Sequence, residues 1–254
     1  MVATLPAPLT SETCFTLPHL RWSTFQALIS ELASERDRHF LYTGDRLHIT
    51  EPGDLDCLIL QPLSWSTLQA LLADVGGARP WRIAYANNIL EIRMPRAEHE
   101  EPKRILEDLV TLLVDELELE VRSLGSLTLA QPDLSRAVEP DSCFYIQNEA
   151  RVRGKNIQLP NDPPPDLVIE SDYTHSSLNK HTIYAALGVP EIWRYRRQSL
   201  EVYHRVAEAY QPAPQSLAFP QLDIATVPHL IQQSQILGQR QALREFRRQF
   251  RARL

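Results

Sequence analysis

The spacing of apolar residues predicts a long helix in the first half of the chain and a series of short strands after it. Ile105, Leu109, Leu112 and Leu113 recur at helical intervals within residues 98–120, and Pro102 is tolerated in the first turn of such a helix. Apolar runs of about five residues predict strands near 125–129, 142–146, 167–171, 191–195 and 200–204. Residues 227–254 predict an amphipathic helical tail that serves packing or dimerisation.

An internal repeat precedes this part. Residues 17–52 align with residues 60–95 without gaps at an offset of 43, and Leu20–Leu28 closely resembles Leu63–Leu71. Each copy predicts a helix, with Ser23 or Ser66 as its cap, followed by a hairpin. Only the second copy leads directly into the later strands, so we interpret the first as an added scaffold, a sheet extension or an interface piece rather than a second active site.

Composition and charge narrow the class of protein. The 254 residues contain no apolar run long enough to cross a bilayer, and the first residues lack the pattern of a signal sequence, so we expect a cytoplasmic protein without a membrane partner. Three scattered cysteines suggest no disulfide framework. A net charge of −6 argues against non-specific coating of nucleic acid but not against a nuclease. Arg151, Arg153 and Lys155 form a candidate nucleic-acid contact, and a solvated loop is the alternative.

Carboxylates near two apolar strands are the main candidates for chemistry. Alternation along a strand places Asp166, Glu170 and Asp172 on one face. Buried like charges are costly unless a cation compensates them, so a divalent metal explains this face. Asp141, which follows a proline and precedes the apolar run Cys143–Ile146, can supply a second oxygen ligand from a neighbouring strand. Two carboxylates, water and a substrate phosphate suit Mg²⁺, with Mn²⁺ as a substitute.

A lysine completes the candidate site. Lys180 lies one turn into the helix predicted after the acidic strand, where its ammonium could stabilise charge on a phosphate or position the attacking water. Taken singly, an aspartate after proline can be a turn cap, an acidic strand end can be solvated, and a helical lysine can be a surface residue. The sequence lacks zinc-type histidine spacing, a glycine-rich phosphate loop and a Gly-x-Ser-x-Gly elbow, which disfavours zinc hydrolases, nucleotide kinases and serine hydrolases.

These residues resemble a known family over about residues 60–235. The similarity is carried by the segments Met94–Glu100, Leu124–Ser126, Glu139–Asp141, Pro164–Glu170 and Lys180–Trp193. On this basis the chain resembles the Uma-type restriction endonucleases of the PD-(D/E)XK nuclease superfamily. The resemblance implies an α/β fold with a central mixed β-sheet flanked by helices, a metal-dependent phosphodiesterase site and, commonly, a homodimer.

Residue by residue, the resemblance makes Asp141 and Glu170 metal ligands. The superfamily places a lysine two residues after that glutamate, but this chain has Asp172 there, so the lysine role falls to Lys180 as a migrated residue or is absent. Glu100, and after it His99, resembles the accessory acid that many members carry at the start of the long helix; a favourable interaction with the helix dipole is the alternative. Asp166, Asp172 and His99 are candidates for a supporting shell around the metal.

The sequence thus predicts three segments. Residues 1–59 form an N-terminal extension with the first copy of the repeat, 60–210 a nuclease core, and 211–254 an arginine-rich helical tail. The predicted function is Mg²⁺-dependent hydrolysis of phosphodiester bonds in DNA by a homodimeric endonuclease. Two alternatives remain open. The first is a non-catalytic nucleic-acid-binding or assembly protein with a nuclease fold, which the absent Glu-x-Lys lysine and the acidic net charge favour. The second is a nuclease for RNA or branched DNA.

Overall fold

The computed structural model describes residues 12–32, 38–52, 57–77, 79–94, 97–171 and 178–254. These residues form fourteen strands: β1 Glu12–Leu17, β2 His39–Thr43, β3 Arg46–Pro52, β4 Cys57–Leu60, β5 Arg82–Ala86, β6 Ile89–Arg93, β7 Arg122–Gly125, β8 Leu129–Gln131, β9 Arg136–Val138, β10 Ser142–Tyr145, β11 Leu167–Ser171, β12 Glu191–Arg196, β13 Ser199–Val206 and β14 Ala209–Ala213. They also form seven α-helices: α1 Trp22–Glu31, α2 Trp65–Val75, α3 Ala97–Glu116, α4 Glu149–Val152, α5 Lys180–Ala186, α6 Val227–Leu237 and α7 Gln239–Arg251. The predicted α/β fold is confirmed.

The chain divides into two compact units. The first comprises residues 1–81 and 87–94, and the second comprises residues 82–86 and 95–254. This division differs from the predicted segments at both boundaries. Residues 60–81 group with the first copy of the repeat, and the C-terminal residues 211–254 group with the strands and helices that hold Asp141 and Glu170.

The first unit contains a three-stranded antiparallel sheet in the order β1-β3-β2, where Phe15 pairs with Ile49. In the same unit β4 runs antiparallel to β6. Elements of the second copy begin 43 residues after those of the first: α2 at 65 against α1 at 22, β5 at 82 against β2 at 39, and β6 at 89 against β3 at 46. Ser64, not the predicted Ser66, caps α2, and Arg21, not Ser23, precedes α1.

A six-stranded mixed sheet is the centre of the second unit. Its order is β14-β13-β12-β11-β10-β7; β11 and β12 are parallel, and the other neighbours are antiparallel. Strand β9 lies outside this sheet and pairs antiparallel with β5 and β8. Because β10 lies beside β11, the chain brings the start of one strand next to the end of the other, which is where Asp141 and Glu170 stand.

One face of the six-stranded sheet packs against α3, α6 and α7. The buried core on this face contains the predicted helix residues Ile105, Leu109, Leu112 and Leu113, together with Leu167, Ile169, Trp193 and Tyr195 from the central strands. Side chains alternate along a strand, so Val168 and Glu170 of β11 point to the opposite face. Trp193 and Tyr195 are therefore core residues.

The C-terminal tail is helical, as predicted, and packs within the chain. Phe246 and Phe250 of α7 are buried in the core with their rings 6.4 Å apart. Arg247 and Arg251 form ion pairs with Glu116 at the end of α3. The arginine-rich composition of this segment therefore reflects, at least at these positions, pairing with the acidic end of α3.

Candidate functional site

Asp141 and Glu170 lie next to each other at one end of the central sheet. Ser142 of β10 pairs with Ile169 of β11, so Asp141 comes immediately before this pair and Glu170 immediately after it. The backbone N–H of Ser171 donates a hydrogen bond of 2.7 Å to Oδ2 of Asp141, which fixes this carboxylate against the end of β11. The structure therefore brings together the two carboxylates that the sequence singled out.

Lys180 reaches the same place from the start of α5. Its Nζ lies 2.8 Å from Oε2 of Glu170, and the side chains of Lys180 and Glu170 are 13% and 7% exposed. The sequence predicts Lys180 one turn into its helix; it is instead the first residue of α5, directly after Asn179, whose side chain caps the helix by accepting from His181 N. This position brings the ammonium close to the end of β11.

Tyr184 is a fourth member of the group, one helical turn after Lys180. Its hydroxyl donates a hydrogen bond to Oε1 of Glu170, and the side chain is fully buried. Each carboxylate oxygen of Glu170 thus accepts from a different residue of α5. Residues four apart in a helix share one face, so the spacing of Lys180 and Tyr184 was a usable signal. The sequence singled out Lys180 but not Tyr184 as a member of this group.

Burial governs the electrostatics of Glu170. Loss of solvation raises the pKa of Glu170 to about 7, the ammonium of Lys180 opposes this rise, and the negative charge of Asp141 adds to it. Burial, followed by the charge of Glu170, also raises the pKa of Tyr184 well above its ordinary value, so the phenol remains a hydrogen-bond donor at neutral pH. Glu170 is thus a buried carboxylate that is paired with Lys180 and lies beside the carboxylate of Asp141, an arrangement common at functional sites.

The other predicted site residues, Glu100, Asp172 and His99, are not among the described residues that contact Glu170. Glu100 forms an ion pair of 3.2 Å with Lys103 in α3, and nothing in the described contacts links it to Glu170. Asp172 lies outside the described residues, as does the side chain of His99. The roles proposed for these three residues stay predictions.

The carboxylate of Asp166 accepts hydrogen bonds from the segment that follows β10. Its Oδ2 accepts from the backbone N–H groups of Ile146 and Asn148 at 2.7 and 2.9 Å, and its Oδ1 accepts from the side-chain amide of Asn148. These three donors account for the buried charge of Asp166 without a metal. Its predicted place in a shell around the metal stays untested, but the contacts indicate a structural role.

We therefore expect Asp166→Ala to destabilise the fold by on the order of 3 kcal/mol, because two backbone donors near the site would lose their acceptor. Urea unfolding measures this change, with the exposed Asp133→Ala as the control. Without urea, where Asp166→Ala is folded, its kcat for plasmid nicking should stay within a few-fold of the wild-type value. A stable Asp166→Ala variant with a large loss of kcat would instead favour a role at the site.

The three basic residues predicted to contact nucleic acid are on α4 and the loop after it. Arg153 forms an ion pair of 2.6 Å with Glu149, Lys155 lies 3.6 Å from Asp162, and Arg151 donates to the side chain of Asn148. Arg153 and Lys155 are more than half exposed. Their charges are partly neutralised by neighbours but remain accessible to solvent, so a contact with phosphate stays a prediction.

Comparison with known proteins identifies the family. The family model Uma2, described as "Putative restriction endonuclease", matches residues 65–237, which is more than half of the chain and includes Asp141, Glu170 and Lys180. The chain therefore belongs to the Uma2 family, and the resemblance inferred from the sequence is confirmed. The first copy of the repeat lies outside the matched residues.

A search of curated proteins found no match to the chain. Among solved structures, one match is described as a "putative nuclease belonging to DUF820" from Anabaena variabilis. The two sequences are 17% identical, and the match has a TM-score of 0.45 and covers 67% of this chain and 99% of that one. In the part of the chain that the structure describes, no helix is both long and apolar enough to span a membrane.

Proposed function

We propose that this chain is a Mg²⁺-dependent endonuclease that hydrolyses phosphodiester bonds of DNA. Asp141 and Glu170 would hold the metal, and Lys180 would contact the phosphate or the attacking water. The observation that carries the proposal is the position of Glu170, buried beside Asp141 and held by Lys180 and Tyr184. Membership of the Uma2 family supports the reaction class; the metal and the DNA substrate are our own inference.

The donor set suits a hard cation that keeps most of its own water. No group of three or more His, Cys, Asp or Glu side chains suited to a metal occurs among the described residues. Asp141 and Glu170 would therefore be the carboxylate ligands, with water and substrate oxygens completing the shell. Mg²⁺ binds in this way, through one or two carboxylates and substrate phosphates. Structural zinc sites need four protein ligands and catalytic ones usually three, so zinc fits less well.

When bound, Mg²⁺ would act as a Lewis acid towards the phosphate and lower the pKa of a bound water. The protein's own groups would prepare the place. The Ser171 N–H holds one carboxylate oxygen of Asp141, and Tyr184 holds one of Glu170, so both side chains keep their direction. Lys180 provides a positive charge where negative charge develops on the phosphate.

Lys180 also bears on the alternative of a non-catalytic protein, which rested on the absent Glu-x-Lys lysine. The Nζ of Lys180 on α5 lies 2.8 Å from Oε2 of Glu170. The group of site residues therefore contains a lysine, although position 172, where the superfamily has its lysine, is an aspartate. This contact favours the enzyme over the binding protein. Glu100 as an accessory acid and a homodimer with two sites remain parts of the proposal.

Metal removal tests the proposal. Purified protein should nick supercoiled plasmid with Mg²⁺, and also with Mn²⁺, and nicking should stop in excess EDTA and return when Mg²⁺ is restored. Calorimetry should detect Mg²⁺ binding by wild type and at least a tenfold weaker affinity for Asp141→Asn, because one of two charged ligands is lost.

Three outcomes separate the alternatives. Nicking that persists in EDTA contradicts the metal-dependent mechanism. Metal binding without cleavage of any nucleic acid favours the non-catalytic protein. Cleavage of RNA or branched DNA in preference to plasmid, measured by competition at equal nucleotide concentration, assigns the same site to a different substrate.

A further inference from the structure

Helices α1 and α2 of the first unit form an antiparallel pair. At each end of the pair, a carboxylate near the C-terminus of one helix accepts hydrogen bonds from the N-terminus of the other. At one end, Glu31 of α1 accepts from the backbone N–H and the hydroxyl of Ser64 at 2.7 and 2.6 Å, and from the hydroxyl of Thr67 at 2.7 Å. These contacts satisfy groups at the N-terminus of α2, where a negative charge is also favoured by the helix dipole.

The other end of the pair repeats this arrangement with the roles of the helices exchanged. Asp74 of α2 accepts from the backbone N–H of Arg21 at 2.9 Å, from the side chain of Arg21, and from the side chain of Thr24. No capping hydrogen bond comes from the side chain of Arg21 itself. The N-terminus of α1 thus depends on a carboxylate from α2.

These contacts are related by the repeat. An offset of 43 converts Arg21 into Ser64, Thr24 into Thr67 and Glu31 into Asp74. The contact of residue 31 with residues 64 and 67 therefore becomes the contact of residue 74 with residues 21 and 24. The same offset relates two backbone hydrogen bonds within the copies, from Leu20 N to Asp45 O at 2.7 Å and from Leu63 N to Asn88 O at 2.8 Å.

Reciprocal contacts of this kind are typical of an interface with twofold symmetry, in which residue i of one partner meets j of the other and j meets i. The pairing is also well buried. Thr24 and Thr67 are 2% and 4% exposed, and the equivalent residues Leu28 and Leu71 are fully buried. Burial acts to raise the pKa of Glu31 and of Asp74, but their hydrogen bonds outweigh it and leave both pKa values below the ordinary range.

We infer that the face of α2 covered by α1 is a self-association surface whose natural partner is a second copy of the same helix-hairpin unit, and that in this chain the first copy fills it internally. The Uma2 match begins at residue 65, the first residue of α2, so all but the first five residues of the second copy lie in the family region and the first copy lies before it. In a pairing of two α2 helices, Asp74 of each chain would replace Glu31 at Ser64 and Thr67 of the other.

The inference is independent of the proposed nuclease activity, and full-length variants test it. Glu31→Lys removes the acceptor at the N-terminus of α2 and places a cation near the positive end of the helix. It leaves Ser64, Thr67 and Asp74 intact, so α2 is free to pair with α2 of another chain. Sedimentation equilibrium should show a concentration-dependent doubling of the mass found for wild type.

Pseudosymmetry makes a second, less obvious prediction. Asp74→Lys should also double the mass, because α1 keeps Arg21, Thr24 and Glu31 and can pair with another α1. The double variant Glu31→Lys/Asp74→Lys lacks both acceptors and should return to the wild-type mass. A contact that matters only for folding would make the double variant at least as prone to association as either single variant.

Circular dichroism must show the wild-type helix content in each variant, and Glu208→Lys, on an exposed side chain, controls for the added charge. Should Glu31→Lys lose its fold, Glu31→Ala and Asp74→Ala replace the lysine variants with the same expected order. Folded single variants that keep the wild-type mass at all concentrations, or a double variant that associates as strongly as they do, would overturn the inference.

Discussion

Lys180→Ala is expected to lower kcat for plasmid nicking by about 100- to 1,000-fold, the range found when one group that stabilises transition-state charge is removed. The ammonium lies 2.8 Å from Oε2 of Glu170 at the start of α5, and the Lys180 side chain is 13% exposed, so its charge is only weakly screened by water. The assay is single-turnover nicking of supercoiled plasmid at saturating protein, which separates the chemical step from DNA binding.

Lys155→Ala is the matched control. Lys155 is more than half exposed and lies on the segment predicted to contact DNA. A phosphate contact contributes to binding rather than to the chemical step, so this variant should weaken DNA binding and reduce its salt dependence while kcat is unchanged. Thermal unfolding should confirm that Lys180→Ala is folded, because its removal leaves Glu170 without its cation. A folded Lys180→Ala variant with wild-type kcat would remove Lys180 from the site.

The second large effect concerns stability. Phe246→Ala should lower the free energy of unfolding by about 3 to 5 kcal/mol, the usual cost of removing a buried aromatic ring from a core. Phe246 is 8% exposed and belongs to the cluster that α7 forms with α3 and the central sheet. Urea unfolding gives the change, and loss of this ring should also shift the transition reported by tryptophan fluorescence, since Trp193 belongs to the same cluster.

Arg244→Ala, at an exposed position of the same helix, should change the free energy of unfolding by less than about 0.5 kcal/mol. The pair of variants distinguishes a helix that completes the core from one that is only attached at the surface. A change below about 1 kcal/mol for Phe246→Ala would contradict the placement of α7 in the core and would return the tail to the role of a dimerisation element.

Local sequence patterns were sufficient to predict the main elements and the centre of the site. The helical spacing of Ile105, Leu109 and Leu113 depends on one periodicity, and these residues are buried as predicted. Asp141 and Glu170 could be predicted as neighbours because each stands at the end of an apolar run, and two such runs pair in the sheet. The first inference needs only local spacing, whereas the second also needs the pairing of two strands, which the resemblance to the nuclease family implies.

Features that depend on tertiary contacts were not predictable in the same way. The sequence placed Asp166 on an acidic strand face, but its Oδ2 accepts from backbone N–H groups 20 and 18 residues earlier in the chain. Tyr184 was not singled out by the sequence, although its buried hydroxyl donates to Glu170. The capping of α1 by Asp74 joins residues 53 apart, and only the repeat, compared position by position, hints at it. In each case, a polar group's role is decided by a partner that local spacing does not specify.

The most direct test of the proposed site is plasmid nicking by Glu170→Gln beside wild type and Glu208→Gln. Glutamine keeps the size of the buried side chain and can still accept from Tyr184, but it removes the negative charge that a metal requires, whereas Glu208 is an exposed residue of the β13–β14 turn. We expect Mg²⁺-dependent nicking by wild type and by Glu208→Gln, and a loss of at least 100-fold in folded Glu170→Gln. Equal nicking by all three proteins would contradict the assignment of the active site to Asp141, Glu170 and Lys180.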